Sequence, residues 1–376
     1  MVPMVASRYL PNRSIPTGVI RVGVIGTGFG ERVHIPALRS IPYVEVGCVC
    51  SKRADRAHMV AARYNIRKST NDYRELIRDD DIDAVVIASP PNLHHTMAFA
   101  AIEAGKHVLC EKPMSRTVAE ARDLVRLAEQ ARVVAMVNHE FRFEPARAYA
   151  RELIESGWLG ERHSASITVF RSTLNDPHGT PFDWLMDEAK GGGMLGAAGS
   201  HYLDALRWWF GDVRSVAGTS ATMVKQRRLA DSNVMGDVSA DDNFAVVLRF
   251  MNGAIGTVAY SATAPFEFGE QILLSGSEGM LMMTGDRRLY GARRGQPMAE
   301  IALPEHLTAE VSPSDHPLSG PTSLLLRVWI SAIRTGETVS PSFLDGLKVQ
   351  ELMDGAQRSG QLGRWVEVEK GRFGHW

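Results

Sequence analysis

The chain has 376 residues, 44% hydrophobic and 23% charged. That composition excludes a disordered or membrane-embedded protein, and the length exceeds the usual single core, so two domains are expected. Forty-two Lys and Arg against 43 Asp and Glu leave a net charge of −1, which provides no global attraction for nucleic acid or an anionic membrane, and neither is expected as a partner.

The first 18 residues, MVPMVASRYLPNRSIPTG, lack a continuous apolar stretch and a twin-arginine pair, and read as a loosely ordered leader. No apolar run anywhere reaches the roughly 18 residues that would span a membrane. From Val19 the chain alternates apolar runs with helical stretches. VIRVGVIG (19–26), VEVGCV (44–49), AVVIAS (84–89), HVLC (107–110) and VVAMV (133–137) read as strands. Helices are expected over 31–40, 54–64, 94–103 and 118–131. Continuous apolar strands separated by helices are buried on both faces of a parallel sheet, so residues 19–140 are expected to form a doubly wound α/β domain.

After a helix at 145–155 the pattern changes. SASITVFRS, the pair FAVVLRF and AIGTVAYSA around Met251-Asn252-Gly253, and ILLSGSEGMLMM read as antiparallel strands and hairpins. In FAVVLRF, Phe244, Val246, Leu248 and Phe250 share one face, but Ala245 and Val247 make the other face apolar as well, so that face is a candidate for cover. Helices at 324–333 and 344–357 and a last strand, WVEVE (365–369), complete a second domain over 141–376. Cys48, Cys50 and Cys110 are odd in number and lack metal-ligand spacing, which points to a reducing, cytoplasmic compartment.

Gly26-Thr27-Gly28-Phe29-Gly30 follows the first strand and opens the first helix, the context in which backbone N–H groups reach a pyrophosphate. Position 31, where the fingerprint would place its third glycine, is Glu31. At the end of the second strand an acid would hold the ribose 2′-hydroxyl of NAD, whereas cations accommodate a 2′-phosphate. Ser51-Lys52-Arg53 stands there, with no acid before Asp55, so NADP(H) is favoured over NAD(H).

Glu111-Lys112-Pro113 follows HVLC at the C-terminal end of a buried strand, where ligands of open α/β sheets sit. A cis bond before Pro113 would aim Lys112 into the cleft. Beside an oxidised nicotinamide the lysine would give up its proton more readily and could exchange one with a substrate hydroxyl. Five glycines between Gly191 and Gly199 lead into Ser200-His201, with Leu203, Leu206 and Phe210 at helical spacing. Close approach of that backbone to substrate is the expected reason for them. Trp184 and Asp187 lie just upstream. His34, His94, His95 and His107 read as packing or cleft-rim residues, and no set of residues has metal spacing.

With the segments Ala88-Ser89-Pro90-Pro91-Asn92-Leu93-His94, AGKHVLCEKP (104–113), Gly191-Gly192-Gly193 and Gly199-Ser200-His201 in order, the chain from about Val19 to Glu369 resembles the glucose-fructose oxidoreductase, inositol dehydrogenase and rhizopine-catabolism oxidoreductase family (Gfo/Idh/MocA). The resemblance implies a Rossmann domain followed by an α+β domain with an open-faced, largely antiparallel sheet. It also implies association through that face as a homodimer or homotetramer, and hydride transfer between nicotinamide and a carbon of a sugar, cyclitol or related diol. On the cofactor side it places Ser89, Pro90, Asn92 and His94 with Glu111 and Lys112.

The family's catalytic Lys falls on Lys112 and its His on His201, while its Asp falls on Ala197. The resemblance makes Lys112 the acid or base on the reacting hydroxyl and His201 a group that binds or relays a proton to that oxygen. Glu140, Asp187 or Asp204 are the candidates to supply the missing carboxylate, Arg142 matches a substrate-side position, and Trp184 is a candidate sugar-facing aromatic. Two further readings compete: elimination or glycoside cleavage through a transient ketone without net redox change, and a nucleotide-sensing regulator, which Ala197 keeps open.

Overall fold

The computed structural model describes residues 18–230, 232–285, 287–308 and 316–368. The expected leader lies, apart from Gly18, outside the described residues. Two compact units divide the chain: one runs to Glu144 and takes in Glu305–Leu347, and the other comprises Pro145–Pro304 and the chain from Lys348 onward.

The first unit is built on six parallel strands, β1 (Ile20–Ile25), β2 (Val44–Cys50), β3 (Lys68–Thr70), β4 (Ala84–Ile87), β5 (His107–Cys110) and β6 (Ala135–Val137), in the order β3-β2-β1-β4-β5-β6. The order reverses between β1 and β4, which creates the crevice at the C-terminal strand ends that doubly wound sheets use for ligands. Those ends are level: Ile25 pairs with Ile87, Ile87 with Cys110, and Cys110 with Val137. The residues that follow β1, β4, β5 and β6 therefore emerge side by side.

Both sheet faces are covered. On one, Ile25, Cys50, Val85, Ile87, Val108 and Cys110 meet apolar residues of the helices His94–Glu103 and Val118–Ala131. The second of these helices is capped by Thr117, whose Oγ1 accepts from the Glu120 N–H at 3.1 Å. On the other, Val22, Val24, Val46, Val86 and Leu109 meet Ile35 and Leu38 together with Leu325, Leu326, Trp329 and Ile330. The first change of unit, after Glu144, lies close to the expected residue 140, but this last set corrects the expected extent of the second domain over 141–376. The helix Ser319–Thr335 was assigned to the second domain, but its apolar face closes the core of the first, and Trp329 is fully buried there.

The second unit carries a nine-stranded mixed sheet of β7 (Arg162–Phe170), β8 (Val213–Ala221), β11 (Asn243–Phe250), β12 (Ile255–Ser261), β13 (Gly269–Gly276), β14 (Gly279–Thr284), β15 (Leu289–Arg293), β16 (Ala299–Ile301) and β17 (Val366–Glu367). A separate ribbon pairs β9 (Gln226–Arg228) with β10 (Met235–Asp237). The large sheet runs β16-β15-β14-β13-β7-β12-β11-β8-β17 and is antiparallel except between β7 and β12. Its inner rows are dry: Met283, Ile272, Ile167, Val258 and Val246 are paired neighbours, each at most 2% exposed. One residue along, the row Tyr290-Met282-Leu273-Ser166-Thr257-Val247 faces the other way and is only half-buried. Among the described residues the second apolar face of FAVVLRF is thus only partly covered, with Ala245 exposed. No described helix is long and apolar enough to cross a membrane.

Because Trp329 seals one face of the parallel sheet, Trp329→Ala is expected to destabilise the first unit by about 3–5 kcal/mol. Denaturant unfolding should show one transition moving and the other staying; an unchanged profile would contradict the reassignment of this helix.

Candidate active site

The glycine turn after β1 gives each glycine its own task. Gly26 has φ +107°, and a Cβ there would stand 2.2 Å from the Ala88 carbonyl oxygen. Its N–H donates to the Cys50 carbonyl at 2.9 Å, which fixes the turn to β2. A Cβ on Gly28 would meet nothing within 4 Å, so that backbone is open to a ligand. Gly30 packs on Val24, 3.1 Å from where its Cβ would be. These are the three roles of a dinucleotide turn, with the packing glycine one position early. Glu31, in the expected third-glycine position, is buried and ion-paired to Arg56 and Arg63 of the helix Ala54–Tyr64. The residues fit a bound dinucleotide.

Thr27 donates its Oγ1 hydrogen to Ser51 Oγ at 3.1 Å, linking the glycine turn to the end of β2. Of the two cations expected there, Lys52 is exposed and makes no ion pair among the described residues. Arg53 is held by Asp55, Nη2 to Oδ2 at 2.7 Å and Nε to Oδ1 at 3.3 Å. That bond lowers the Asp55 carboxyl below its ordinary value. The pair is solvent-exposed and weak in water, so Arg53 remains exchangeable.

Beyond β4, Ser89, Pro90 and Asn92 are half-buried beside the short helical turn Pro91–Leu93. His94 behaves differently from a rim residue. It is 1% exposed, with Nε2 2.8 Å from the Ser89 carbonyl and Nδ1 2.9 Å from the Pro113 carbonyl, bracing the loop after β4 against the loop after β5. Burial holds its imidazole below the ordinary value. His107 accepts the Val134 N–H at 2.9 Å, and His95 meets Asp123 at 3.1 Å.

The Lys112–Pro113 bond is cis. Glu111, the residue before the lysine, is 8% exposed and uses both oxygens internally. Oε1 lies 2.7 Å from His34 Nε2 and accepts Asn138 Nδ2 at 2.7 Å; Oε2 accepts the Lys112 backbone N–H at 3.2 Å. Burial pushes the Glu111 carboxyl up, but the His34 hydrogen bond and the charges beside it outweigh that, and the net shift is downward. His34, expected as a packing or rim residue, is thus part of this cluster. Neither it nor Asn138 carries a sequence signal beyond the helical spacing of His34 from Gly30.

Glu140, 1% exposed and three residues past β6, is pushed the other way. Burial first, and then the Glu111 charge, raise its carboxyl to about 8, against the pull of Lys112. Arg142 is 5% exposed and bonds Ser340 Oγ at 2.7 Å and Asp345 Oδ1 at 3.1 Å. These contacts anchor it within the first unit.

In the second unit, Leu195–Gly199 forms a π-helical turn that runs into the helix Ser200–Phe210, where His201 is 3% exposed and Asp204 fully buried. Ala197 sits on that turn. Here the glycines serve the protein's own packing more than was expected. A Cβ on Gly192 would stand 2.4 Å from the Leu185 carbonyl, one on Gly193 2.3 Å from Asp241 Oδ1, and one on Gly199 3.0 Å from the Phe244 ring. Asp241, missed in the sequence, accepts the Leu195 N–H at 2.9 Å through Oδ2, and burial lifts its carboxyl to about 6. Asp187 caps the turn Glu188–Lys190, accepting the Ala189 N–H at 3.0 Å and pairing with Lys190. Trp184 opens the short turn Trp184–Met186 and is partly exposed. Among the described residues no three His, Cys, Asp or Glu side chains cluster as metal ligands.

A carboxyl raised on folding favours the protonated form. The contribution of Glu140 to stability is therefore fully present below about 4.5 and lost as pH rises through about 8. Wild type is expected to lose stability across that window relative to Glu140→Gln, measured by urea unfolding at a series of pH values. Parallel profiles would mean that Glu140 ionises normally.

Residues 20–139 match the oxidoreductase family with an NAD-binding Rossmann fold, and residues 148–282 match the GFO/IDH/MocA C-terminal domain. An uncharacterized oxidoreductase of Synechocystis is 34% identical over 93% of this chain and 96% of its own length. The levoglucosan dehydrogenase of Pseudarthrobacter phenanthrenivorans is 30% identical over 93% and 98%. A solved levoglucosan dehydrogenase in complex with NADH and levoglucosan superposes with a TM-score of 0.87 at 28% identity, covering 93% of this chain and 100% of that one.

Proposed function

The chain belongs to the Gfo/Idh/MocA oxidoreductase family, and from that membership we propose that it moves a hydride between a nicotinamide dinucleotide and a secondary alcohol or ketone of a sugar, cyclitol or sugar-like diol. The observation that carries the reading is Glu111-Lys112-Pro113 at the C-terminal end of β5, in the same unit as a glycine turn with an open backbone at Gly28. Relatives named levoglucosan dehydrogenase, myo-inositol 2-dehydrogenase and D-apiose dehydrogenase support the substrate class.

A bound nicotinamide supplies the hydride acceptor or donor. The chain supplies the proton traffic. Lys112 takes the proton from the reacting hydroxyl, or returns it in the reductive direction. Glu140, protonated at neutral pH by the shift described above, presents a hydrogen-bond donor instead of a second anion. His201 is the second catalytic group. Arg142 and Asp187 are tied to Ser340, Asp345, Ala189 and Lys190, and Glu140 and Trp184 are the substrate-side residues in this reading.

We favour NADP(H) over NAD(H), supported by the absence of an acid at 51–53, the exposed Lys52, which has no ion pair among the described residues, and the exchangeable Arg53. The half-buried outer row of the nine-stranded sheet supports a homodimer or homotetramer. Three buried free thiols fit a cytoplasmic setting.

Purified protein with NADP+ or NAD+ and a panel of sugars and cyclitols is expected to reduce cofactor, and Lys112→Ala to lower kcat by roughly 10²–10⁴-fold. No reduction with any member of the panel would overturn the redox reading. Lys52→Glu with Arg53→Glu should weaken NADP+ far more than NAD+; equal affinities in wild type would remove the preference.

A further inference from the structure

Arg227 lies on β9, is 1% exposed and makes no ion pair among the described residues. Its guanidinium donates instead to main-chain carbonyls: Nη2 to Leu174, and Nη1 to Asp176 at 3.0 Å and to Thr180 at 3.5 Å. Burial lowers its pKa, against the pull of Asp242, Asp176 and Asp183. A guanidinium taken out of water is costly, and an apolar side chain of similar volume would pack there without that cost. What an apolar side chain cannot do is hold three carbonyls at fixed spacing, as a rigid planar fork of donors does.

Those carbonyls belong to the connection that leaves β7 at Arg171 and reaches the helix Ser200–Phe210 through short turns only. Connections this long with so little regular structure are usually functional. The chain around the ribbon of β9 and β10 holds it at successive points. Arg228 donates its N–H to the Pro177 carbonyl at 3.1 Å, and its own carbonyl accepts the Phe182 N–H at 2.8 Å. Beyond β10, the Ser239 and Ala240 N–H groups both donate to the Met186 carbonyl, at 3.1 and 3.2 Å, and Ser239 Oγ accepts the Glu188 N–H at 3.0 Å. Trp184 stands between these two sets of anchors, on a turn that Asp183 caps by accepting the Leu185 N–H at 2.8 Å. Within β9 and β10, Arg227 alone is buried.

We propose that Arg227 is a positioning residue for substrate binding: by holding three carbonyls of the segment that leads to Trp184, it fixes where that indole is presented and so how tightly the sugar is held. It takes no part in hydride or proton transfer. The inference rests on the reading of Trp184 as a substrate-side residue.

The test compares full-length Arg227→Met, Trp184→Ala and the double variant with wild type. In hydrogen exchange followed by mass spectrometry, peptides covering 174–188 of Arg227→Met should exchange at least about tenfold faster, while peptides of β11 and β12 keep their rates. With the sugar or cyclitol that wild type turns over fastest, Arg227→Met should raise KM roughly tenfold and leave kcat within about twofold. Trp184→Ala should do the same, and the double variant should go no further than either, because both remove one interaction. Arg227→Lys, which keeps the charge and loses the fork, should fall between wild type and Arg227→Met in both measurements, and it carries the test alone if Arg227→Met does not fold. Unchanged exchange over 174–188, or exchange accelerated through the sheet as well, would overturn the proposal. So would a lowered kcat at unchanged KM, or KM effects that multiply in the double variant. Exchange needs no substrate, so a wild type that turns over nothing defeats the functional reading while the exchange rates still decide whether Arg227 holds the segment.

Discussion

A carboxylate kept nearly dry at the edge of a parallel sheet is the constraint around which the first unit is arranged. Glu111 cannot be buried as an anion unless donors replace the water it loses, and three are supplied from three separate stretches of chain. His34 comes from the turn after β1, Asn138 from the end of β6, and the Lys112 N–H from the next peptide. That convergence is possible only because the C-terminal ends of β1, β4, β5 and β6 are in register. The Asn138 N–H itself donates to the Cys110 carbonyl at 2.8 Å, locking the end of β6 to the end of β5. Strand register, rather than any loop, determines where Lys112 begins.

The same edge holds two carboxyls in opposite states. Glu111 has three donors and stays an anion; Glu140, close enough to feel that anion and equally buried, has its ionisation suppressed. Two like charges so near each other cannot both be maintained in a dry site, and the one with more hydrogen-bond donors keeps the charge. A lysine placed among them meets one anion and one acid.

Much of this was legible in the sequence, and the failures have physical causes. Strands such as AVVI, buried on both faces, show themselves as unbroken apolar runs, and helices with one apolar stripe appear with correct limits at 54–64, 94–103 and 118–131. Lys68–Thr70 escaped because an edge strand with a polar sequence has no such run. The helix Ser319–Thr335 was found but misplaced: spacing reports which face is apolar, not which sheet it will meet. The hydrogen bond from His34 to Glu111 could not be read for the same reason, since that partner is fixed by the alignment of β1, β4 and β5 and not by neighbours in the chain. Lys112 was singled out because its motif is contiguous.

The turn on which Ala197 lies shows how a helix entry is held by contacts distant in the chain. In the second unit the turn before His201 is held by a carboxylate from elsewhere in the chain: Asp241 accepts the Leu195 N–H through its side chain, and its own carbonyl accepts the Met194 N–H at 2.9 Å. Gly193, at φ +110°, is the residue that lets this carboxyl approach, since any Cβ there would occupy the space of Oδ1. An anion at the start of a helical run is favourably placed with respect to the backbone dipoles that follow it. The path of the backbone into Ser200-His201 is therefore set by Asp241 and the small residues packed around it, with no side-chain charge needed at position 197.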